Sequence, residues 1–543
     1  MKGLVLTLTE LTRRGFFGSA AVVGGALAGL AAEGGVANAG TEPCFPPPDV
    51  VAVGLDDRRY QDLVTRGYNA RFAARPESVR LVHTTGQVVR VVNEAVRDGK
   101  RIAVRSGGHC FEGFVDDPAV RILVDTSEMK AVYFDPERKA FAVEVGATLG
   151  QLYRTLYLGW GVTVPGGECP KIGVGGHIAG GGFGPLSRRD GLIIDHLYAV
   201  EVVVVDRSGR ARSVVATREE SDSNRELWWA HTGGGGGNFG IVTRYWLRSP
   251  GRSGDDPTTA LPKAPGMVLR TEVGWPWGEL TGQSFGRLVR NHGRWHEQHS
   301  SDTAPWQSLW SQLTLSHRSM GGIGLIAQLD GALPGVEAQM NSYVAALTDG
   351  VDTPHEAQTS FIPWMKATVG NGFDTGDLSR TKSADAFLRK PWTDQQIATC
   401  YQYLTDQRQT GLGAMFLYSY GGKINTVPSS ATAVAQRDSI LRAWATTFWA
   451  SPEQDSAQIA WLRDFNRDLY AKGGGVPAPD AAHDGAGINF PNSDVVDPLW
   501  NTSGVPWHTL YYKENYPRLQ RVKARWDPRD VFHHAMSIRP TGS

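Results

Sequence analysis

The sequence predicts an α+β fold in two parts, and three observations carry that prediction. Residues 79–250 alternate short β-branched runs with amphipathic helical stretches. Residues 258–480 hold longer strand-like runs with separate helical segments, the pattern of an antiparallel sheet flanked by helices. Between them GRSGDDP (251–257) is a break of Gly, Asp and Pro. A chain of 543 residues with 41% hydrophobic and 20% charged residues has the length for several globular domains and not the composition of a disordered chain.

In the first part VRLVHT reads as a strand, QVVRVVNEAVRDG as an amphipathic helix and RIAVRSG as the next strand. RILVDTS, FAVEVG, LYAVEVVVVD and GIVTRYWL are further β-rich runs, and QLYRTLYLG reads as helical. In the second part MVLRTEVGW, SLWSQLTLS, GIGLIAQLD and AMFLYSYGG read as strands, while SYVAALTDG and ATAVAQRDSILRAWATTFW read as helices. The tail YYKENYPRLQRVKARWDPRDVF reads as one helical run ending at Asp527-Pro528. No fixed-period repeat is present.

The N-terminus carries a targeting pattern. TRRGFF (Thr12 to Phe17) fits a twin-arginine signal, Ala20 to Ala32 is a small-residue apolar run, and Ala37-Asn38-Ala39 is an A-x-A cleavage site. The expectation is a secreted protein cleaved near Ala39. The apolar run is too short and too rich in Gly and Ala for a good membrane span, so no stable membrane insertion is expected. Lys+Arg and Asp+Glu are both 55, which gives no basic excess to suggest nucleic acid as a partner. The four cysteines, Cys44, Cys110, Cys169 and Cys400, form no C-x-x-C, so neither a disulfide scaffold nor a structural zinc site is indicated.

Glycine-rich loops hold the candidate chemistry. RSGGHCFEGF (105–114) places His109 after a strand end and two glycines, where backbone can approach a ligand closely. GGECPKIGVGGHIAGGGFG (166–184) places Cys169 among polar glycine loops, a setting that favours a reactive thiol over a buried inert one. GGGGGNFG (233–240) contains G-x-G-x-x-G, but IVTRYWL follows it as a strand where a dinucleotide-binding βαβ unit needs a helix. That loop remains a candidate cradle for a phosphate or ring. His533-His534 are adjacent and cannot face one ligand from a regular element, so no metal site is assigned. Together the loops suggest a large flat cofactor gripped at two edges.

The segments SGGH, G-x-C-P-x-x-G-x-G-G-H, NFGIVT and YYKENYPRL…DPRDVF, in this order, resemble the berberine-bridge-enzyme-like flavin oxidases of the vanillyl-alcohol-oxidase superfamily, over nearly the whole mature chain. The resemblance implies a signal peptide at 1–39, a two-part FAD-binding domain of the vanillyl-alcohol-oxidase type at 40–250, a substrate domain at 251–480, and a C-terminal segment at 481–543 that returns to the FAD domain. It implies FAD bonded twice, through its 8α-methyl carbon to His109 and ring carbon 6 to Cys169. Arg105, Ser106, Gly107 and Gly108, with Gly173, Gly175 and Gly176, would wrap pyrophosphate and ribityl. Gly167, Gly240, Ile241 and Val242 would complete the cofactor wall. His177 would stand near the ribityl chain, and Tyr512 and Asn515 would return to the ring. Ile172 occupies the family's oxygen-gate position and leaves the acceptor open between O₂ and another oxidant.

A sugar-oxidising member of the family divides acid–base work between two tyrosines. The first matches Tyr418 or Tyr420 in FLYSYGGKIN, and Lys423 or Tyr420 is a candidate to lower the Tyr418 pKa. The second lies in an I-N-Y-P segment, where this chain reads GINFPNSD and places Phe490, which has no hydroxyl. Tyr418 is therefore the expected base, with Tyr420 and Phe490 against substrate. The implied activity is oxidation of a secondary alcohol on a glycosylated or polyketide-type natural product to a ketone, with release of H₂O₂. A free-sugar oxidase, a dehydrogenase, an oxidative cyclase and a protein that sequesters an aromatic antibiotic without turnover are the alternatives. The partners expected are a small molecule and O₂, and oligomeric state is left open.

Overall fold

The computed structural model describes residues 49–301, 305–370 and 379–541. The targeting segment, its cleavage site and Cys44 lie outside the described residues.

Three sheets organise the chain. β1 (Val51–Gly54), β2 (Ser78–Leu81), β3 (Ile102–Arg105) and β4 (Ile122–Asp125) form the first, in the order β1-β2-β4-β3. β2 and β3 run parallel to β4, while β1 is antiparallel to β2. β5 (Val132–Asp135), β6 (Ala140–Glu144), β7 (Leu197–Val205), β8 (Ala211–Thr217) and β9 (Ile241–Leu247) form an antiparallel second sheet in the order β5-β6-β9-β7-β8. The helix Thr85–Arg97 joins the two. Thr84 caps it by accepting from the Gln87 N–H at 3.2 Å. Its apolar stripe, Val88, Val91, Val92 and Ala95, packs in one core with Ile102 and Val124 of the first sheet and Val203 and Val205 of the second.

The third sheet has seven antiparallel strands: β10 (Met267–Pro276), β11 (Trp310–Ser316), β12 (Gly322–Asp330), β13 (Glu356–Pro363), β14 (Arg380–Leu388), β15 (Leu412–Ser419) and β16 (Leu441–Trp449). Their order is β13-β10-β12-β11-β15-β16-β14. Side chains alternate faces along each strand, so one parity covers the core and the other covers the opposite face. Leu269, Val273, Leu313, Leu325, Met415, Leu417, Leu441 and Ala443 pack in one apolar core with residues of the helices Gly282–Gln298, Val336–Thr348, Asp394–Leu404 and Asp455–Leu469. The other parity is left for a cavity.

Two segments differ from the sequence expectation. ATAVAQRDSILRAWATTFW is not a helix; its second half is β16, paired to β14 and β15 and buried along its whole length. Alanine favours helix locally, but LRAWATTFW also alternates with period two, and sheet pairing on both edges outweighs the propensity. The tail is not one helix. Trp507–Tyr512 and Tyr516–Trp526 are separated by a 3₁₀ turn at Lys513–Asn515, where Lys513 takes φ 46° and Pro517 stands in the first turn of the second helix.

The tail closes back on the first half through one buried cation. Lys523 Nζ donates to the Asn238 carbonyl at 2.8 Å, the Phe532 carbonyl at 2.6 Å and Asp527 Oδ2 at 2.6 Å, with Lys523 and Asp527 both fully buried. Asn238 Oδ1 in turn accepts from the Ile538 N–H at 3.0 Å. The glycine loop 233–240 is thereby locked to the C-terminus. Lys523→Ala leaves the Asp527 charge without its cation, and removing one partner of a buried pair costs about 3–5 kcal/mol. The expected outcome is a lower midpoint in urea unfolding, and an unchanged midpoint would contradict this account of the clamp.

Candidate active site

The two glycine loops meet backbone to backbone. A Cβ on Gly107 would overlap the Gly173 nitrogen, and one on Gly173 would overlap Ser106 Oγ and the Gly107 nitrogen. Only glycine at both positions allows this approach. Around it Ser106 Oγ donates to the Val145 carbonyl at 2.6 Å, and Tyr245 Oη donates to the Gly175 carbonyl at 2.9 Å. Arg105 also lines the site, and its buried guanidinium turns to Asp125 Oδ2 at 3.0 Å and to the Leu63 carbonyl.

These loops form one wall of a cavity of about 1690 Å³. Arg105 through Cys110, Gly167 to Cys169, Ile172, Gly173, Gly175 to His177 and Gly240 to Val242 all reach it. The volume exceeds the roughly 300–1,000 Å³ of a single-ligand pocket, so it has room for a large cofactor and a bulky substrate together. At Gly176 and Gly236, both on the wall, an added Cβ meets no protein atom within 4 Å and would protrude into the cavity. Bare backbone facing a long cleft fits a flavin dinucleotide.

His109 stacks on Tyr68 with ring centroids 4.8 Å apart. Burial, with help from the Lys171 charge, pushes its pKa down to about 4, so the imidazole is neutral at pH 7 with a free nitrogen lone pair. Burial raises the Cys169 thiol above its usual range, against hydrogen bonds from the backbone of Lys171 and Ile172. Cys110, next to His109, is pushed up to about 12 by burial. His177 Nε2 accepts from the Gly167 N–H at 3.0 Å, which leaves the proton on Nδ1; burial and then Arg442 lower its pKa to about 4.

The opposite wall is the polar face of the third sheet. Register sets Glu272, Ile326, Gln312, Tyr418 and Arg442 side by side across β10, β12, β11, β15 and β16. All five line the cavity, as do Arg270, Phe416 and Trp444. Arg442 is held by Asp385 through two bonds of 2.8 and 2.9 Å and lies 4.3 Å over the Phe490 ring. Phe490 also stacks on Phe111 at 5.3 Å. Burial, reinforced by Glu168, raises the Tyr418 phenol well above its usual range, and Arg442 only partly opposes this.

Three expectations are corrected. Tyr420 follows the end of β15, and its hydroxyl donates to the Gln436 carbonyl at 3.0 Å in the core, outside the cavity wall. Tyr512 donates to the Gly234 carbonyl at 3.1 Å, and Asn515 Nδ2 to the Ser429 and Thr432 carbonyls at 2.8 and 3.1 Å. Both residues brace loops behind the wall and do not face the cavity, because buried polar groups take the backbone partners nearest to them. Lys423 is exposed and outside the cavity, so it gives Tyr418 no charge. Sequence reasoning missed Arg442 and Gln312, which only strand register brings beside Tyr418. It also missed His534, which stacks on Phe114 at 4.1 Å and lines the cavity, and Glu168, whose place between Gly167 and Cys169 was the available signal.

Glycine-loop backbone facing the polar side of an antiparallel sheet suits a flavin-linked oxidoreductase, and the comparisons show that class. Residues 76–213 match the FAD binding domain family and residues 487–539 the berberine and berberine-like family. The chain belongs to the berberine-bridge-enzyme-like FAD-linked oxidoreductases, with the vanillyl-alcohol-oxidase fold. The aclacinomycin-N/aclacinomycin-A oxidase of Streptomyces galilaeus is 57% identical over 546 residues, covering 99% of this chain and 100% of that protein. The crystal structure of aclacinomycin oxidoreductase matches with TM-score 0.89 at 59% identity, over 91% of this chain and 100% of that one. A glycopeptide hexose oxidase complexed with teicoplanin matches with TM-score 0.89 at 48% identity, over 92% and 100%.

Gly107→Ala forces the two loops apart. The variant is expected to purify with little or no flavin absorbance, and full flavin loading would show that the loop contact is dispensable.

Proposed function

We propose that this enzyme oxidises a secondary alcohol on a glycosylated, polyketide-type natural product to a ketone, with O₂ as acceptor and H₂O₂ as product. The observation that carries the reading is the large cavity that sets His109 and Cys169 on one wall and a polar, aromatic sheet face on the other. Two relatives support the substrate class: one is named for the oxidation of aclacinomycins, and the other is a glycopeptide hexose oxidase solved with teicoplanin.

FAD, when bound, supplies the two-electron acceptor. His109 and Cys169 anchor it covalently, the first through a neutral imidazole nitrogen and the second through sulfur. Two covalent anchors free the opposite wall from gripping the ring, so that wall can be given over to substrate. The backbone of 106–108, of Gly173, Gly175 and Gly176, and of 235–237 lines the rest of the cofactor's path, where N–H groups suit phosphate and ribityl oxygens. Neutral His177 adds a hydrogen-bond donor at Nδ1 without adding a fixed charge. Phe416, Trp444 and Phe490 offer aromatic faces to a flat aglycone or a sugar ring. Ile172 stands on the wall three residues after Cys169, at the position through which O₂ would approach. The twin-arginine pattern supports export of the folded, cofactor-loaded chain and cleavage near Ala39.

Acid denaturation tests the anchoring. Wild type, His109→Ala and Cys169→Ala are each expected to retain one FAD per chain by intact mass, and the double variant none. An unmodified wild-type mass would refute covalent attachment. Peroxide formed only with glycosylated alcohols would support the substrate class, whereas tight binding of such a compound with no flavin reduction would favour sequestration.

A further inference from the structure

We propose that Glu168 is the residue that takes the hydroxyl proton from the substrate alcohol, with Tyr418 as the neutral hydrogen-bond donor that orients it. This rests on the alcohol-oxidising reading above.

Geometry narrows the choice. Phe490 carries no hydroxyl. Tyr418 sits in register between Gln312 and Arg442, and the Arg442 charge is committed to Asp385 by a bidentate pair. Glu272 is paired to Arg270 at 2.9 Å, and His177 has its one lone pair engaged by the Gly167 N–H. Unlike Glu272 and His177, Glu168 reaches the cavity with no hydrogen bond or ion pair to its side chain among the described residues. It stands next to Cys169, the proposed anchor, and near Tyr418, Tyr153 and the Arg270 guanidinium.

The backbone that carries Glu168 is held on both sides. Gly167 N–H donates to His177, the Gly167 carbonyl accepts from Tyr153 Oη at 2.7 Å, and Ile172 N–H donates to the Cys169 carbonyl at 3.2 Å. A carboxylate on a pinned segment is positioned before substrate arrives. Burial pushes its pKa up to about 7, and Arg270 draws it down only in part. That value suits a base working near neutrality. Burial raises the Tyr418 phenol as well, away from neutrality, so it stays protonated, donates its hydrogen bond and does not serve as the base.

The balance is simple. The alcohol R₂CH–OH loses its O–H proton to Glu168 and its carbinol hydrogen, with the electron pair, to oxidised FAD, leaving R₂C=O. O₂ then takes back the two electrons with two protons, one of them from Glu168, and leaves as H₂O₂.

The test is anaerobic stopped-flow reduction of the bound flavin by aclacinomycin N and by D-glucose, from pH 5 to 9, in wild type, Glu168→Gln and Tyr418→Phe. A second readout needs no substrate: the visible spectrum of the oxidised enzyme is titrated over the same range. In wild type the reduction rate is expected to rise with pH through an inflection near 7, because only the carboxylate accepts a proton. Glu168→Gln should lower the rate at pH 8 by about 100-fold or more and remove the inflection, and should abolish a spectral transition seen in wild type at the same pH. Tyr418→Phe should lose about tenfold and keep the inflection. A Glu168→Gln enzyme that is reduced within threefold of wild type with the same inflection overturns the proposal, as does a Tyr418→Phe enzyme that loses it. If the Gln variant does not load flavin, Glu168→Asp replaces it, and an unchanged rate and inflection there overturn the proposal equally. A wild-type enzyme that carries FAD but is reduced by neither alcohol fails the alcohol-oxidising reading and takes the proposal with it.

Discussion

The backbone contact between Gly107 and Gly173 is the constraint on which the rest of the site depends. It joins the end of β3 to the start of the helix Val174–Ala179, segments that belong to different strand–helix units. Any side chain at either position would wedge them apart. With the contact made, His109 and Cys169 reach the wall of one cavity, although their loops are far apart in the chain. The surrounding bonds, from Ser106 to Val145 and from Tyr245 to Gly175, keep the two loops from sliding. The protein spends its glycines here on proximity.

The third sheet answers this wall with an alternation that serves two purposes. Leu313, Leu417 and Ala443 face an apolar core shared with helices, whereas their neighbours Gln312, Tyr418 and Arg442 face the cavity. A strand that carries both patterns needs helices on only one side. The cavity therefore costs the core nothing, and the lining can be polar without leaving a buried face unsatisfied. The bidentate Asp385 pair shows the same logic at one residue, because it gives a counter-charge to the buried guanidinium that stands over the Phe490 ring.

The C-terminal segment explains how the glycine loop at 233–240 stays in place. That loop has five consecutive glycines and little of its own to hold it, and Lys523, Tyr512 and Ile538 bind it from outside. Tyr512 and Asn515 thus serve the site at one remove. Their motif was visible in the sequence, but a motif shows that a position matters and not which atom it touches.

Local signals settled much of this protein. The helix Thr85–Arg97, the strands β6, β7, β9, β10 and β12, and the loops bearing His109 and Cys169 were legible because apolar periodicity and clustered glycine are properties of neighbouring residues. The similarity of SGGH and the Cys169 segment to a flavin family pointed to FAD before any coordinates. What only the tertiary structure decided were properties of distant residues: β16 as a strand, since pairing partners outvoted local alanine; Tyr418 beside Arg442 and Tyr420 in the core, since register and strand end set the faces; and Glu168 in the cavity with no partner among the described residues, since nothing in the chain around it reports which charges have already been claimed elsewhere. Chemistry of residue types is written along the chain, whereas burial, register and pairing arise only when the chain closes on itself.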